Sequence, residues 1–343
     1  MRVVTGLKVG KLQVEGSTFQ PATFQLIVLL LIFLAGCQPR RSVTLAFLGD
    51  VMLGRGVTPG EDSLAYLAPY LQEADLALAN LESPFAAAPS QNLQHPTFQP
   101  SNLLTVQSYN LCAPSGRAAM LAGWGLDLVS IANNHSLDCG PDGLAETEST
   151  LHTAGLTPLG SADEPVYRTI NGLRLAFLAF EDVTAPLDGE AAAQIIREAY
   201  DTGALVIVSI HWGMEYQGGA SERQRQLAQQ FVDAGAILIW GHHPHVLQPA
   251  ERIQPPAGST PSSPPQGKPA GGSALVLYSL GNALFDQGGL ADTRQSALVL
   301  VELDENGVRS VRAIPFEIDV PHSRVQATDE QATQIIFEHL ELK

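Results

Sequence analysis

At 343 residues, 45% of them hydrophobic and 16% charged, the chain is long enough for one large domain or two ordinary ones and too apolar to be disordered. Its net charge of −16 and pI near 4.9 argue against nucleic acid as a partner, because phosphate binding needs clustered Lys and Arg and no basic stripe occurs. The same acidity suits a soluble, self-repelling exterior and opposes an anionic polymer unless a metal or local arginines offset it.

The chain opens on Arg2, Lys8 and Lys11, followed by the apolar run FQLIVLLLIFLAGC at residues 24–37. A positive start, an apolar middle and a small-residue exit read as a secretory signal over residues 1–37. The run is shorter than the ~20 apolar residues of a comfortable membrane span. It ends in Leu34-Ala35-Gly36-Cys37, which resembles a bacterial lipobox. That resemblance implies that Cys37 becomes a lipidated N-terminus and that the protein is an extracytoplasmic, membrane-anchored lipoprotein. An uncleaved anchor or ordinary signal cleavage are the alternatives. A linker is expected at 38–42, and the folded domain over 43–320.

From there a pattern repeats. An apolar run ends in a polar cluster, and a helical stretch follows. VTLAFLGD ends in Asp50, ADLALANLES in Asn80 and Glu82, and LDLVSIANNH in Asn133, Asn134 and His135. LRLAFLAFED ends in Glu181 and Asp182, ALVIVSIHWGMEY in His211 and Glu215, AILIWGHHPH in His242, His243 and His245, and ALVLYSLGN in Asn282. Continuous Val/Ile/Leu/Ala runs of this length suit strands covered on both faces. Between them, SERQRQLAQQFVDAG carries a Ser cap, Leu227 and Phe231 at helical spacing, and a Gly235 stop. GPDGLAETESTLHTAG has a similar pattern, with Leu144 and Leu151 on one stripe. Alternating strands and helices predict an α/β fold, whose ligands bind outside the carboxyl ends of the strands. The polar clusters fall at those ends. Residues 253–273 are Pro/Gly/Ser-rich and read as an exposed insertion loop. Residues 321–343 read as a helical tail. Outside the cytoplasm, Cys112 and Cys139 have the chance to form a disulfide, but their spacing does not decide whether they meet.

Three of the nine histidines lie within four positions, at the end of one apolar run. Neutral imidazoles are good ligands for divalent transition metals. In an extended chain His243 and His245 share a side and His242 faces away, so the pair is expected as a two-ligand clip and His242 as a supporting residue. Asp50, Glu82, Asn134, His135 and His211 sit at equivalent strand ends. Such a mix of carboxylate and imidazole suits Mn, Fe or Zn, and sites of this kind hydrolyse esters or amides.

FLGDVMLGR, ANLESP, ANNHSLDCG, HWGMEY, GHHPHVLQP and YSLGNALFDQ together resemble, in order, the signature blocks of the CapA family of bacterial capsule or poly-γ-glutamate synthesis proteins. The resemblance spans residues 43 to about 316. It implies a branch of the calcineurin-like metallophosphoesterase fold, a four-layer α/β sandwich. It also implies Asp50, Glu82, Asn134, His211, His243 and His245 as metal ligands, and His135 as general acid. Arg55 is implied at the mouth, holding a substrate carboxylate or phosphate by its planar fork; the alternative is that it pairs with a local carboxylate. Met52 departs from the pattern. It stands where the parent fold has a histidine ligand, and a thioether suits a hard divalent ion poorly. Glu215 is either a substitute ligand, base or substrate contact, or a solvent-facing carboxylate. Asp138 and Asn282 are expected in capping and turn roles, and Trp212 and Tyr216 line a groove or simply pack.

Three functional readings follow. The first is a metal-dependent hydrolase or transferase acting on an anionic polymer such as poly-γ-glutamate, in contact with membrane subunits of a capsule synthase. The second is a non-catalytic accessory or polymer-binding subunit of a synthase or export complex. The third is a phosphodiesterase, against which Met52 counts most.

Overall fold

All seven predicted runs contain strands in the computed structural model, which describes residues 41–87, 110–160, 164–255 and 273–342. The signal segment, Cys37, residues 38–40 and most of the Pro/Gly/Ser-rich insertion lie outside the described residues.

The chain passes through β1 (Ser42–Val51), α1 (Ala68–Glu73), β2 (Leu76–Leu81), β3 (Phe85–Ala86), β4 (Ala113–Pro114), α2 (Ala118–Gly123), β5 (Leu128–Ser130), α3 (Gly143–Thr153) and β6 (Thr157–Leu159). It continues through β7 (Val166–Ile170), β8 (Leu173–Glu181), α4 (Gly189–Asp201), β9 (Leu205–His211), α5 (Glu222–Ala234), β10 (Ala236–His242), β11 (Leu247–Ile253) and β12 (Ala274–Leu280). Then come β13 (Asn282–Leu284), β14 (Gln295–Asp304), β15 (Gly307–Asp319), β16 (Arg324–Gln326) and α6 (Glu330–Leu340). An eight-stranded sheet has the order β16-β15-β14-β1-β2-β5-β6, with β13 beside the end of β1. A six-stranded sheet has the order β11-β12-β10-β9-β8-β7.

Period-2 alternation explains why both faces of each sheet are apolar. Along β1, Val43, Leu45 and Phe47 point to a core shared with Leu175, Phe177, Ile207, Leu238 and Trp240 of the second sheet. Ala46 and Leu48 point the other way, to a core with Leu71, Leu121 and Leu151 of α1, α2 and α3. The outer face of the second sheet packs on Ala192 and Ile196 of α4 and Leu227 and Phe231 of α5. The order is helix, sheet, sheet, helix: a four-layer α/β sandwich. Helix α5 is capped as its sequence predicts. Ser221 accepts from Gln224 N, the Gln224 side chain closes the capping box, and Gly235 takes the left-handed C-terminal position with φ of 114°.

The tail differs from a plain helix. Arg324, Val325 and Gln326 alternate exposed, buried, exposed, and pair with β15 before α6 begins. Ile336 and Leu340 of α6 then join the core between the sheets. Among the described residues, no helix is long and apolar enough to cross a membrane.

The sheet register gathers the site. Asp50 pairs with Asn80 on β2 and with Asn282 on β13. In the second sheet, His211 pairs with His242 on one side and Glu181 on the other. These rows mark the carboxyl ends of neighbouring parallel strands. Two glycines allow the ends to close up. A Cβ on Gly49 would overlap the carbonyl oxygen of Gly281, and one on Gly241 would overlap that of Tyr278.

Candidate metal centre

Asp50 and Glu82 are fully buried at the ends of adjacent strands. Asn80 sits between them. Its Nδ2 donates to Asp50 Oδ1 at 2.8 Å and lies 3.4 Å from both Glu82 Oε1 and His211 Nδ1. Asn133 holds Asn80 in turn, donating through Nδ2 to Asn80 Oδ1 at 3.3 Å and to the Leu81 carbonyl at 2.9 Å. Neither asparagine was among the site residues expected from the sequence. The signal was present for Asn80, which lies two residues before Glu82 and so shares its face of the strand.

The imidazoles close the centre from the second sheet. His245 Nδ1 lies 3.3 Å from Asp50 Oδ2 and 3.0 Å from Asn282 Oδ1, and its Nε2 lies 3.8 Å from Glu82 Oε2. His211 Nε2 is 3.6 Å from Glu82 Oε1. The His243 ring stands 4.9 Å from that of His211 and 5.9 Å from that of His245. Period-2 geometry is not what brings His243 and His245 together. β10 ends at His242, and the two residues take φ values of 95° and 58°, in the left-handed region. The segment is a tight turn around Pro244, and the turn, not strand alternation, aims both rings. His242 does not face away either: its Nδ1 is 3.4 Å from Asp50 Oδ1.

The mouth carries the remaining predicted residues. His135 Nδ1 pairs with Asp138 Oδ2 at 2.9 Å, its side chain 18% exposed. Asn134 beside it has a buried Oδ1. Cys112 and Cys139 are disulfide-bonded. Glu215 is exposed, yet its carboxylate lies within 4.8 Å of ligand atoms of His243 and His245. Arg55 forms a two-point ion pair with Asp286, the pairing with a nearby carboxylate that was its alternative expectation, and stacks 5.5 Å above the Phe285 ring. Phe285 packs 4.9 Å from His245. Met52 is buried in the apolar core of α1, α2 and α3. Trp212 is buried and stacks on Tyr278, so it packs rather than lines a groove; Tyr216 is exposed beside His245.

Electrostatics divide these groups. Burial opposes the charge on Asp50, but hydrogen bonds from His242 and His245 outweigh it and hold the carboxyl well below its usual range. Burial, reinforced by the Asp50 charge, pushes Glu82 well above its usual range. Burial opposes protonation of His245, yet Glu82 and Asp50 hold it up to about 9. Burial lowers His211 and His242, and burial with the neighbouring His245 lowers His243 to about 4. The centre thus presents His211, His242 and His243 as neutral imidazoles beside an ionised Asp50, the states in which these groups ligate metals, whereas His245 and Glu82 must give up protons to do so.

A test of fit comes from atoms without partners. Among the described residues, Glu82 Oε2, His211 Nε2 and His243 Nδ1 are buried at the centre with no hydrogen bond, as is Asn134 Oδ1 in the loop that carries His135. Each such atom costs about 1–3 kcal/mol, so so many in one place needs an explanation. A cation supplies one. Asp50, Glu82 and His245 offer ligand atoms mutually within 4.8 Å, as do Glu215, His243 and His245. The residues fit one or two divalent ions.

The sandwich and its buried carboxylate–imidazole cluster define a layered α/β protein with a candidate metal centre at the strand ends. Residues 44–287 match the family model described as bacterial capsule synthesis protein PGA_cap. The chain is 31% identical over 299 residues to the PGA biosynthesis protein CapA of Bacillus subtilis (strain 168), covering 80% of this chain and 71% of that protein. It is 30% identical over 305 residues to the capsule biosynthesis protein CapA of Bacillus anthracis, covering 80% and 67%. A probable polyglutamine synthesis accessory protein of Mycobacterium tuberculosis (strain ATCC 25618 / H37Rv) is 22% identical over 245 residues, covering 60% and 59%. The chain belongs to the CapA family of bacterial capsule synthesis proteins.

Proposed function

We propose that this protein is an extracytoplasmic lipoprotein anchored through Cys37, and that its cleft holds one or two divalent ions of Mn, Zn or Fe. In this reading it hydrolyses or transfers an amide-bearing, anionic polymer of the poly-γ-glutamate type, alongside membrane subunits of a capsule synthase. The names of its Bacillus relatives support the substrate class, and the lipobox-like tetrapeptide supports the placement. The observation that carries the metal-dependent reading is the convergence of buried ligand atoms without hydrogen bonds around two buried carboxylates.

Asp50, Glu82 and His245 would hold one ion, and His243 with Glu215 a second, with His211 and Asn134 in reserve at the edge. A divalent ion held there would supply polarisation of a carbonyl oxygen and acidification of water. The protein's own groups do the rest. Asp138 occupies His135 Nδ1, so Nε2 is the edge available to give a proton to a departing amine. Arg55 is the cation at the mouth, and a polymer carboxylate must compete with Asp286 for it. Asn80 keeps Asp50 and Glu82 in register. One observation favours the accessory reading. Met52 lies in the apolar core and supplies no imidazole where the parent pattern has a histidine ligand.

The test is metal content. The full chain, purified without a histidine tag, is measured by mass spectrometry beside a His243→Ala/His245→Ala variant. One or two equivalents in the first and none in the second support the reading. No metal in either, after reloading with Mn or Zn, removes the metal-dependent reading and leaves a polymer-binding cleft.

A further inference from the structure

Asp138 lies at the centre of a knot of contacts beside His135. Its Oδ2 faces His135 Nδ1 at 2.9 Å and accepts from Leu111 N at 2.7 Å. Its carbonyl accepts from Asn110 Nδ2 at 2.7 Å, and Asn110 Oδ1 accepts from Cys112 N at 2.9 Å. The next residue, Cys139, is bonded to Cys112, 27 positions away in sequence, with Cα atoms 5.0 Å apart. Neither segment belongs to a helix or strand. Residues 110–112 precede β4, and residues 133–142 form a run of turns before α3. Backbone regularity therefore holds neither in place.

The surroundings are shaped for this contact. Gly143, the first residue of α3, leaves room for Cys139, because a Cβ there would overlap that of Cys139. Gly54 leaves room on the other side, where a Cβ would overlap the Leu111 carbonyl oxygen. Residues 110–112 are wedged between the loop after β1 and the loop that carries His135.

We infer that the Cys112–Cys139 disulfide positions His135. It clamps Asp138 against residues 110–112, and Asp138 fixes the tautomer and direction of the imidazole. A ring whose Nδ1–H is held by a carboxylate aims its Nε2 in one direction, bare in the neutral ring and able to donate once the ring carries a second proton. Without the cross-link, Leu111 N and Asn110 no longer have a fixed relation to Asp138. The carboxylate then gains freedom, and the part-exposed ring turns with it. Asp138 is thereby a positioning residue, a larger role than turn capping. The bond forms only where thiols are oxidised, in keeping with an extracytoplasmic chain.

This inference rests on the reading of His135 as the proton donor, but its test does not depend on turnover. The full chain is labelled with 15N-histidine, and the His135 ring signals are assigned by their loss in His135→Gln. In the oxidised protein the Nδ1–H tautomer is expected to dominate by about tenfold, the ratio that one charge-assisted hydrogen bond supplies. In Cys112→Ser/Cys139→Ser the ratio falls toward parity while metal content stays unchanged. Asp138→Asn gives the same loss with the disulfide intact, which separates positioning from general stability. If the double variant does not fold, the wild-type protein reduced with a phosphine, checked by circular dichroism, replaces it. An unchanged tautomer ratio after loss of the bond overturns the inference. So does unfolding in both arms, which assigns the bond to stability alone. Absence of any turnover in the wild type, with the tautomer result as expected, removes the catalytic reading and leaves the clamp standing.

Discussion

Metal binding at neutral pH expels protons, and the number follows from which groups hold them. Burial opposes protonation of His245, but Glu82 and Asp50 hold it up to about 9. At pH 7 about a hundred molecules therefore carry that proton for each that does not. Glu82 is pushed up by burial and by Asp50, so it retains a proton well above the ordinary carboxyl range. His245 Nε2 and Glu82 Oε2 are 3.8 Å apart, so the two titrate as a pair. The pair holds at least one proton at neutral pH and at most two. A metal needs both groups bare, so one to two protons must leave. The apparent affinity should then rise about ten- to a hundredfold per pH unit across neutrality, and the slope should flatten as pH passes about 9. Isothermal titration of Zn or Mn into the apo protein, at pH 7 in two buffers of different ionisation enthalpy, counts the protons directly. Equal heats in both buffers, or an affinity flat with pH, would refute the charge assignment and with it the placement of the ion between Asp50, Glu82 and His245.

Gly49→Ala places a methyl group against the Gly281 carbonyl oxygen where the two strand ends meet. It should cost about 3 kcal/mol, lowering Tm by roughly 6 °C in a domain of this size, and a melt within 1 °C of wild type would show that the strand ends relax freely. Asp286→Asn weakens the grip on Arg55 and should tighten binding of poly-γ-glutamate several-fold at low salt, whereas Arg55→Gln should weaken it. Fluorescence anisotropy with a labelled oligomer reads both, and identical affinities in the three proteins would remove Arg55 from the substrate contact.

The fold was legible because burial on both faces of a sheet leaves an apolar run that few other structures produce, and because Ser221 and Gly235 punctuate α5 in the way helix ends require. The strand-end clusters were legible for a related reason: a polar residue closing such a run has few uses except at a site. What the sequence concealed was everything decided by contacts across the chain. Asn80 and Asn133 look like ordinary strand-end polar residues until the register puts Asn80 opposite Asp50. Asp286 is 231 residues from Arg55. Local rules mislead at His243 and His245, which lie past the end of β10 and adopt positive φ instead of extended geometry. A Pro flanked by histidines at a strand end was a cue to a turn, and turn geometry changes which rings face inward.

The charge balance of the cleft narrows what can bind there. A chain of net charge −16 repels a polyanion unless something local offsets it. Two sources were open: arginines or a metal. Arg55 is matched by Asp286, and Glu215 adds an exposed negative charge beside His243 and His245. Protonated His245 is buried between Asp50 and Glu82, which consume its charge. Among these groups, nothing at the mouth gives a carboxylate polymer a net attraction without an added cation. In the proposed reading, then, the metal is required twice, once to satisfy the buried ligand atoms and once to make the cleft attractive to its substrate. Polymer binding by the apo protein should be weaker than by the loaded protein, and a polymer that binds both equally well must be held somewhere other than this centre.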